Sequence, residues 1–241
     1  MSRVKAAICI PAGDTVSTEF ASDLAGLIGY QGPRQPAGSQ LQVFFSKGGQ
    51  PAIQRCDLVR MALQAGADWI LWLAPDMRFP RGALERLLTL DVPIAGANYL
   101  ATAPPYLPVA VKSLDPESRL LTAPGSNGLE SVEATGMGLL LTRADIFRKL
   151  PEPWFMVGFN ASNGTYFGEE VYFCRRAVEA GYRIVIDQAL SRLVGRVGSF
   201  EYRPENIGRR RKAGPDAVSA GSGQTRASES ASSVISSKDV N

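Results

Sequence analysis

The stretch 66–80, GADWILWLAPDMRFP, indicates the fold class of this 241-residue chain. Residues 68–73 form a nearly continuous apolar run, which is typical of a central strand buried on both faces of a sheet. The run stops at Ala74-Pro75-Asp76, where proline and the loss of apolar character indicate a loop. The carboxylate of Asp76 is therefore predicted just past the carboxyl end of a central strand.

Strands and helices alternate on both sides of this stretch. Apolar runs predict further strands at residues 4–10, 42–46, 93–97, 132–141 and 183–187, and apolar stripes at helical spacing separate them. This alternation predicts an α/β fold with a mostly parallel, open sheet and helices on both faces. Gly136 and Gly138 interrupt the run 132–141, which is typical of a bulge or a close backbone approach. Thr142 followed by Asp145 predicts a capping box.

The composition predicts one ordinary globular domain with a tail. The chain is 45% hydrophobic and 20% charged, which is enough to bury a single core. From Gly208 onward the chain contains six basic and three acidic residues, so this tail accounts for the net charge of +3. We expect a folded domain at 1–203 and a disordered, Ser-rich basic tail at 204–241. Because 1–207 is formally neutral and no helix has a basic face, sequence-specific DNA binding by the domain lacks support.

Several kinds of chemistry are excluded by residues that the chain lacks. It contains no histidine, which removes Ser-His-Asp and Cys-His catalysis and histidine metal ligands. Its three cysteines are scattered and form no CxxC pair, which favours a reducing compartment and argues against a zinc site. No apolar run approaches the ~18 residues of a membrane span or forms a signal-peptide core, so we expect a soluble cytoplasmic protein.

Candidate site residues follow the predicted strands. Ligands of open α/β sheets bind outside the carboxyl ends of the strands, and polar residues are predicted there at Asp14, Asp76, Asn98, Glu169 and Glu170. Neither a GxGxxG after the first strand nor a GxxxxGK occurs, so a dinucleotide fold and a P-loop are not supported. The alternatives are that Asp76 caps a turn and that the two glutamates are first-turn acids favoured by a helix dipole.

Six stretches in this order resemble the GT-A glycosyltransferases, particularly their short bacterial and phage-encoded members. They are ICIPAGD (8–14), GADWILWLAPDMRFP (66–80), PIAGANY (93–99), VEATGMGLLLTRADIF (132–147), FGEEVYFCRRAVEAGYRIVID (167–187) and LVGRVGS (193–199). The resemblance implies one GT-A domain that transfers a hexose from a nucleoside diphosphate sugar, such as UDP-glucose, to a hydroxyl. Hydroxymethylated pyrimidine in phage DNA is one candidate acceptor.

On the donor side, the resemblance implies a nucleoside pocket lined by the loop after the first strand. This loop consists of Pro11, Ala12, Gly13 and Asp14. Arg55 would face the base or the diphosphate, and Asp76 stands in the Asp-x-Asp motif that binds a divalent metal and ribose. Arg196 stands where many members have a histidine metal ligand. Asn98 completes the predicted donor residues.

On the acceptor side, the resemblance implies that Gly136, Met137 and Gly138 approach the sugar and the acceptor. Glu170, preceded by Glu169, occupies the position of the catalytic base of inverting members. Trp154 is a candidate acceptor platform, with core packing as the alternative.

The chain departs from the family pattern at Ala74, Glu170 and Arg196. Ala74 replaces the first aspartate, Glu170 is one methylene longer than aspartate, and Arg196 is a cation. Asp76 with phosphate oxygens would still form a weak Mg²⁺ or Mn²⁺ site, or Arg196 would neutralise the diphosphate directly. The alternative function is a catalytically inactive GT-A domain that binds a nucleotide sugar or a partner.

Overall fold

The computed structural model describes residues 3–102, 105–113, 118–161 and 164–198, all within the compact unit Met1–Ser199. The predicted tail, 204–241, and the boundary at 203 lie outside the described residues. Within the described ranges, no helix is both long and apolar enough to cross a membrane.

The described residues build a seven-stranded central sheet with the order β2-β1-β3-β7-β5-β10-β6. Its strands are β1 (Lys5–Ala12), β2 (Gln40–Lys47), β3 (Trp69–Leu73), β5 (Ile94–Gly96), β6 (Leu129–Val132), β7 (Leu139–Arg143) and β10 (Ile184–Asp187). Five strands run in one direction, while β6 and β7 run antiparallel to their neighbours. The prediction of a mostly parallel α/β sheet is confirmed.

Helices cover both faces of the sheet, as predicted. The helices are α1 (Thr18–Gln31), α2 (Pro51–Gln64), α3 (Ala83–Thr89), α4 (Ala144–Lys149), α5 (Glu169–Glu179) and α6 (Gln188–Ser191). Because side chains alternate along β1, Ile8 belongs to the core under α1 and α3, while Cys9 belongs to the core under α2, α4 and α5. Every residue of β3 is buried, as expected for a central strand.

Two small ladders complete the described structure. β4 (Met77–Arg78) pairs antiparallel with β11 (Gly195–Arg196), and β8 (Gly158–Asn160) pairs with β9 (Thr165–Phe167). The first ladder positions Arg196, because it brings the chain after α6 back to the loop that follows β3. A short 3₁₀ helix, Gly32–Arg34, follows α1.

Two local predictions around residue 140 are wrong. The run 132–141 is not one interrupted strand: it contains only the last residue of β6 and the first three residues of β7, and these two strands lie at different positions in the sheet. Thr142 does not cap a helix, because it lies inside β7, where its hydroxyl accepts from Trp72 Nε1 (3.2 Å) and donates to the Ile70 carbonyl (3.3 Å). The residue that precedes α4 is Arg143, which makes no side-chain capping bond.

Candidate active site at the carboxyl edge of the sheet

The loops after β1, β3 and β5 meet at the carboxyl edge of the sheet. The amide of Ser17, after the β1 loop, donates to the Pro75 carbonyl (3.2 Å), and the amide of Ala74 donates to the Gly138 carbonyl (3.0 Å). These bonds hold the segment around Asp76 between the loop after β1 and the turn before β7. Polar residues far apart in the sequence therefore converge here.

Asp76 and Arg196 form an ion pair with forked geometry at this edge. Arg196 Nη2 lies 2.6 Å from Asp76 Oδ2, and Nε lies 3.2 Å from Oδ1 and 3.0 Å from Oδ2. The β4–β11 ladder fixes the pair, because the Val197 amide also donates to the Asp76 carbonyl (2.7 Å). The two side chains remain 28% and 25% exposed, so a ligand can reach both.

A second ion-pair cluster joins α2 to the start of α5. Arg55 Nη2 lies 2.7 Å from Glu170 Oε1, and Arg55 Nε lies 3.3 Å from Glu169 Oε1. The Arg55 side chain is 6% exposed, and its buried Nη1 has no hydrogen-bond partner among the residues that the structure describes. These contacts hold the two glutamates beside Arg55. The approach of Arg55 to the base or the diphosphate stays a prediction.

Glu170 also contacts the turn that carries the glycines. Its Oε1 accepts from the Met137 amide (3.2 Å), and the side chain is 34% exposed. Among the described residues, Oε2 accepts no hydrogen bond, so it is open to a proton donor. Glu169 and Glu170 lie in the first turn of α5, where the helix dipole favours negative charge.

Tyr99, which sequence reasoning missed, connects the two ion-pair clusters. Its hydroxyl accepts from the Gly138 amide (2.7 Å), and the Arg196 guanidinium carbon lies 5.7 Å from the ring centroid. The side chain is buried, and burial together with the negative charge of Glu170 raises the pKa of the Tyr99 phenol above its ordinary value. The sequence signal for Tyr99 is its position directly after Asn98, beyond the carboxyl end of β5.

The glycines make room for this tyrosine. A Cβ added at Gly136 would lie 2.3 Å from the Tyr99 hydroxyl oxygen, and one at Gly138 would lie 2.6 Å from it. Real Cβ atoms do not approach another atom so closely, so a side chain at either position would displace Tyr99. Close backbone approach, which the glycines predicted, occurs here against a side chain of the protein.

The remaining predicted residues fall into an exposed group and a buried group. Pro11, partly exposed, and Ala12, buried, are the last two residues of β1, where they pair with β2, so the predicted loop 11–14 begins only at Gly13. Gly13 and Asp14 are exposed. Asn98 is buried, and its side-chain amide bonds the Leu120 carbonyl, the Thr122 hydroxyl and the Ala110 amide.

Two predicted acceptor residues belong to the core. Trp154 is 5% exposed, and its indole N–H donates to the Leu150 carbonyl (2.9 Å). The side chain of Met137 is fully buried, which leaves only its amide at the site. Internal contacts therefore account for both side chains.

The residues around Asp76 do not form a good divalent-metal site. Both carboxylate oxygens of Asp76 already accept from Arg196, and a dication there would meet the guanidinium charge at close range. Within the described ranges, no group of three or more Cys, Asp or Glu side chains is arranged to hold a metal ion. In this arrangement the Arg196 guanidinium itself supplies positive charge beside Asp76.

Comparison with solved structures identifies the fold. GalNAc-T7, solved with UDP, GalNAc and Mn²⁺, matches 80% of this chain and 44% of its own with a TM-score of 0.51 and 10% sequence identity. This chain thus spans less than half of that protein. A197 from STIV matches at 15% identity and a TM-score of 0.48, covering 76% of this chain and 81% of its own. Neither a protein-family model nor a curated protein sequence matches. The fold is a single domain of the GT-A type.

Proposed function

We propose that this protein transfers a hexose from a nucleoside diphosphate sugar, with UDP as the nucleotide, to a hydroxyl acceptor. One arrangement supports the proposal above all: an accessible guanidinium, Arg196, and an open carboxylate oxygen, Glu170 Oε2, lie at the same carboxyl edge of a GT-A sheet. Tyr99 and Gly138 join them through contacts. Such a pair supplies the two charges that a transfer to a hydroxyl needs.

On the donor side, Arg196 would bind the diphosphate. A forked guanidinium suits phosphate oxygens, and this one is 25% exposed while its orientation is held by Asp76. The nucleoside would lie along the exposed part of the loop after β1, at Gly13 and Asp14. Asn98 is left out of the proposed site because internal hydrogen bonds engage its side chain.

On the acceptor side, Glu170 Oε2 would take the proton from the acceptor hydroxyl. The acceptor oxygen then forms a bond to the anomeric carbon of the sugar. The bond from that carbon to the diphosphate oxygen breaks, and its electron pair leaves with the diphosphate. Arg55 is a positioning residue in this scheme, since it holds Glu170 Oε1 at 2.7 Å and leaves the other oxygen open.

The identity of the acceptor is the part of the proposal that rests on the family resemblance alone. A hydroxymethylated pyrimidine in DNA stays a prediction from the family resemblance, as does a phage origin. The basic tail that would hold a polyanion lies outside the described residues. Transfer assays with hydroxymethylated DNA, and with sugar and protein acceptors in parallel, decide between these classes.

The first experiment measures binding. UDP should raise the melting temperature, since a ligand that binds only the native state stabilises it by mass action. UDP, GDP, CDP and ADP are compared at millimolar concentration. The absence of a shift with all four would contradict the donor site and, with it, both the active enzyme and the catalytically inactive binding domain.

The second experiment separates these two alternatives. Glu170→Gln should lower the rate of sugar transfer by about 10²–10⁴-fold, the usual contribution of a general base, while the UDP-induced melting shift persists. Glu179→Gln is the matched control, because Glu179 is an exposed residue at the far end of the same helix. UDP binding without transfer in the unsubstituted protein would favour the inactive binding domain.

A further inference from the structure

A cavity lies at the edge of the sheet opposite the candidate active site. It has a volume of about 410 Å³, and its lining includes Val4, Asp68 and Arg143. Val4 and Asp68 precede β1 and β3, and Arg143 ends the antiparallel β7, so all three mark the amino edge of the parallel strands. The length of β3 separates this cavity from Asp76, on the order of 13 Å along the strand.

The cavity contains a buried polar group that lacks a partner. Gln31, at the end of α1, is 2% exposed, and its Nε2 makes no hydrogen bond in the described structure. Gln35 Nε2, which also lies in the lining, is buried without a partner too. Buried amide groups are normally satisfied, and leaving one unsatisfied is costly. Two residues with such donors in the lining of one cavity indicate a ligand with acceptor oxygens.

The charges of the lining indicate a neutral ligand. Three arginines and three carboxylates line the cavity, so their formal charges cancel. Two of these groups bond each other, since Arg143 Nη2 lies 2.5 Å from Asp91 Oδ1. Glu85 accepts from the hydroxyl of Tyr30, a residue outside the lining (3.1 Å). Asp68 accepts no side-chain hydrogen bond among the described residues, so an acceptor remains beside the unpartnered amides.

We propose that this cavity binds a neutral saccharide. A hydroxyl group both donates and accepts, so it can satisfy the amide of Gln31 and the carboxylate of Asp68 together. Neutral, polyhydroxylated molecules of one or two rings carry many such groups without net charge, which suits a lining of balanced charge. The proposal does not depend on the proposed transferase activity, because it concerns the other edge of the sheet.

Saturation-transfer NMR with the whole chain tests this inference. The probes are glucose, galactose, N-acetylglucosamine, cellobiose and lactose at millimolar concentration. We expect at least one of them to receive magnetisation from the protein, and UDP should not displace it. No transfer to any of the five, or displacement by UDP, would overturn the assignment, the latter because the sugar would then occupy the carboxyl edge.

Two variants locate the binding. Gln31→Leu removes the buried amide at similar size, and Asp68→Asn removes the charge of an exposed side chain. Each variant should raise the Kd of the saccharide on the order of fivefold, the effect of one lost hydrogen bond. The control Asp57→Asn, at an exposed position on α2, should leave the Kd unchanged. An unaltered Kd in both variants refutes the site. Glucose 6-phosphate that binds at least about tenfold more tightly than glucose would show an oxyanion site in its place.

Discussion

Replacing Arg196 with alanine tests how the leaving diphosphate is stabilised. The guanidinium is 25% exposed and held by Asp76 at 2.6 Å, so it is oriented before the donor arrives. A charge-assisted hydrogen bond of this kind contributes about 2–3 kcal/mol, which corresponds to a loss of about 30–150-fold in kcat. The Kd of UDP should weaken less, by under about tenfold, because a phosphate cation acts most strongly on charge that grows in the transition state.

Two further substitutions serve as controls. Arg196→Lys keeps the charge but loses the fork, so we expect an intermediate kcat. Arg192→Ala removes an exposed arginine four positions earlier, which bonds the Pro124 carbonyl, and it should leave kcat unchanged. The free energy of unfolding should fall by no more than about 1 kcal/mol in Arg196→Ala, since partly exposed ion pairs contribute little. The rate loss is then not a folding defect.

The assay is release of UDP from UDP-glucose, with and without EDTA. Activity should survive chelation at least in part, because Arg196 supplies positive charge where Asp76 alone would hold a dication weakly. Ala74→Asp combined with Arg196→His should make the reaction metal-dependent, since the carboxylate and the imidazole would supply the metal ligands implied by the resemblance to GT-A glycosyltransferases. Complete loss of transfer with EDTA, together with an unaffected Arg196→Ala variant, would refute this reasoning.

Three further predictions concern the scaffold of the site. Gly138→Ala should destabilise the protein by about 1–3 kcal/mol in urea unfolding because its Cβ would overlap Tyr99. The control Gly26→Ala, at an open helical position, should stabilise the protein by about 0.5–1 kcal/mol. Equal effects of the two substitutions would contradict the steric argument. Arg55→Leu should cost about 1.5–3 kcal/mol, since it removes charge-assisted hydrogen bonds to two glutamates that remain partly exposed. Arg60→Ala, at a pair about half exposed, should cost no more than about 1 kcal/mol, and chemical denaturation of both variants checks this. The raised pKa of Tyr99 contributes stability that is fully present below the ordinary phenol pKa of about 10 and is lost as pH rises through the folded-state value. Tyr99→Phe should therefore flatten the alkaline decline in stability. An unchanged slope of melting temperature against pH across pH 9–11 would exclude Tyr99 as the source of that decline.

Much of the fold was predictable because the signals are local. The apolar run of β3 and the alternation of strands with helices depend on burial, which the residue pattern records directly. The same approach failed at Thr142, because a capping box and a strand end share the same residue types. Only the hydrogen bonds of its hydroxyl with Trp72 and Ile70 distinguish the two.

The sequence positions of the candidate site residues could be predicted, but the ion pairs between them could not. Asp76 and Glu170 were predicted because one follows a strand and the other begins a helix, whereas Arg196 was predicted from the family resemblance alone. That Arg196 pairs with Asp76 across 120 positions, and Arg55 with Glu170 across 115, follows from the strand order and the β4–β11 ladder.

The sequence by itself therefore determined an α/β sheet whose polar residues lie at its carboxyl edge, because burial periodicity and loop residues are properties of short segments. Tertiary structure alone decided which charges neutralise one another and that Tyr99 lies between them. The physical reason is that ion pairing and desolvation depend on distances of a few ångströms. Such distances between segments are set by packing of the whole domain and are encoded in no single stretch.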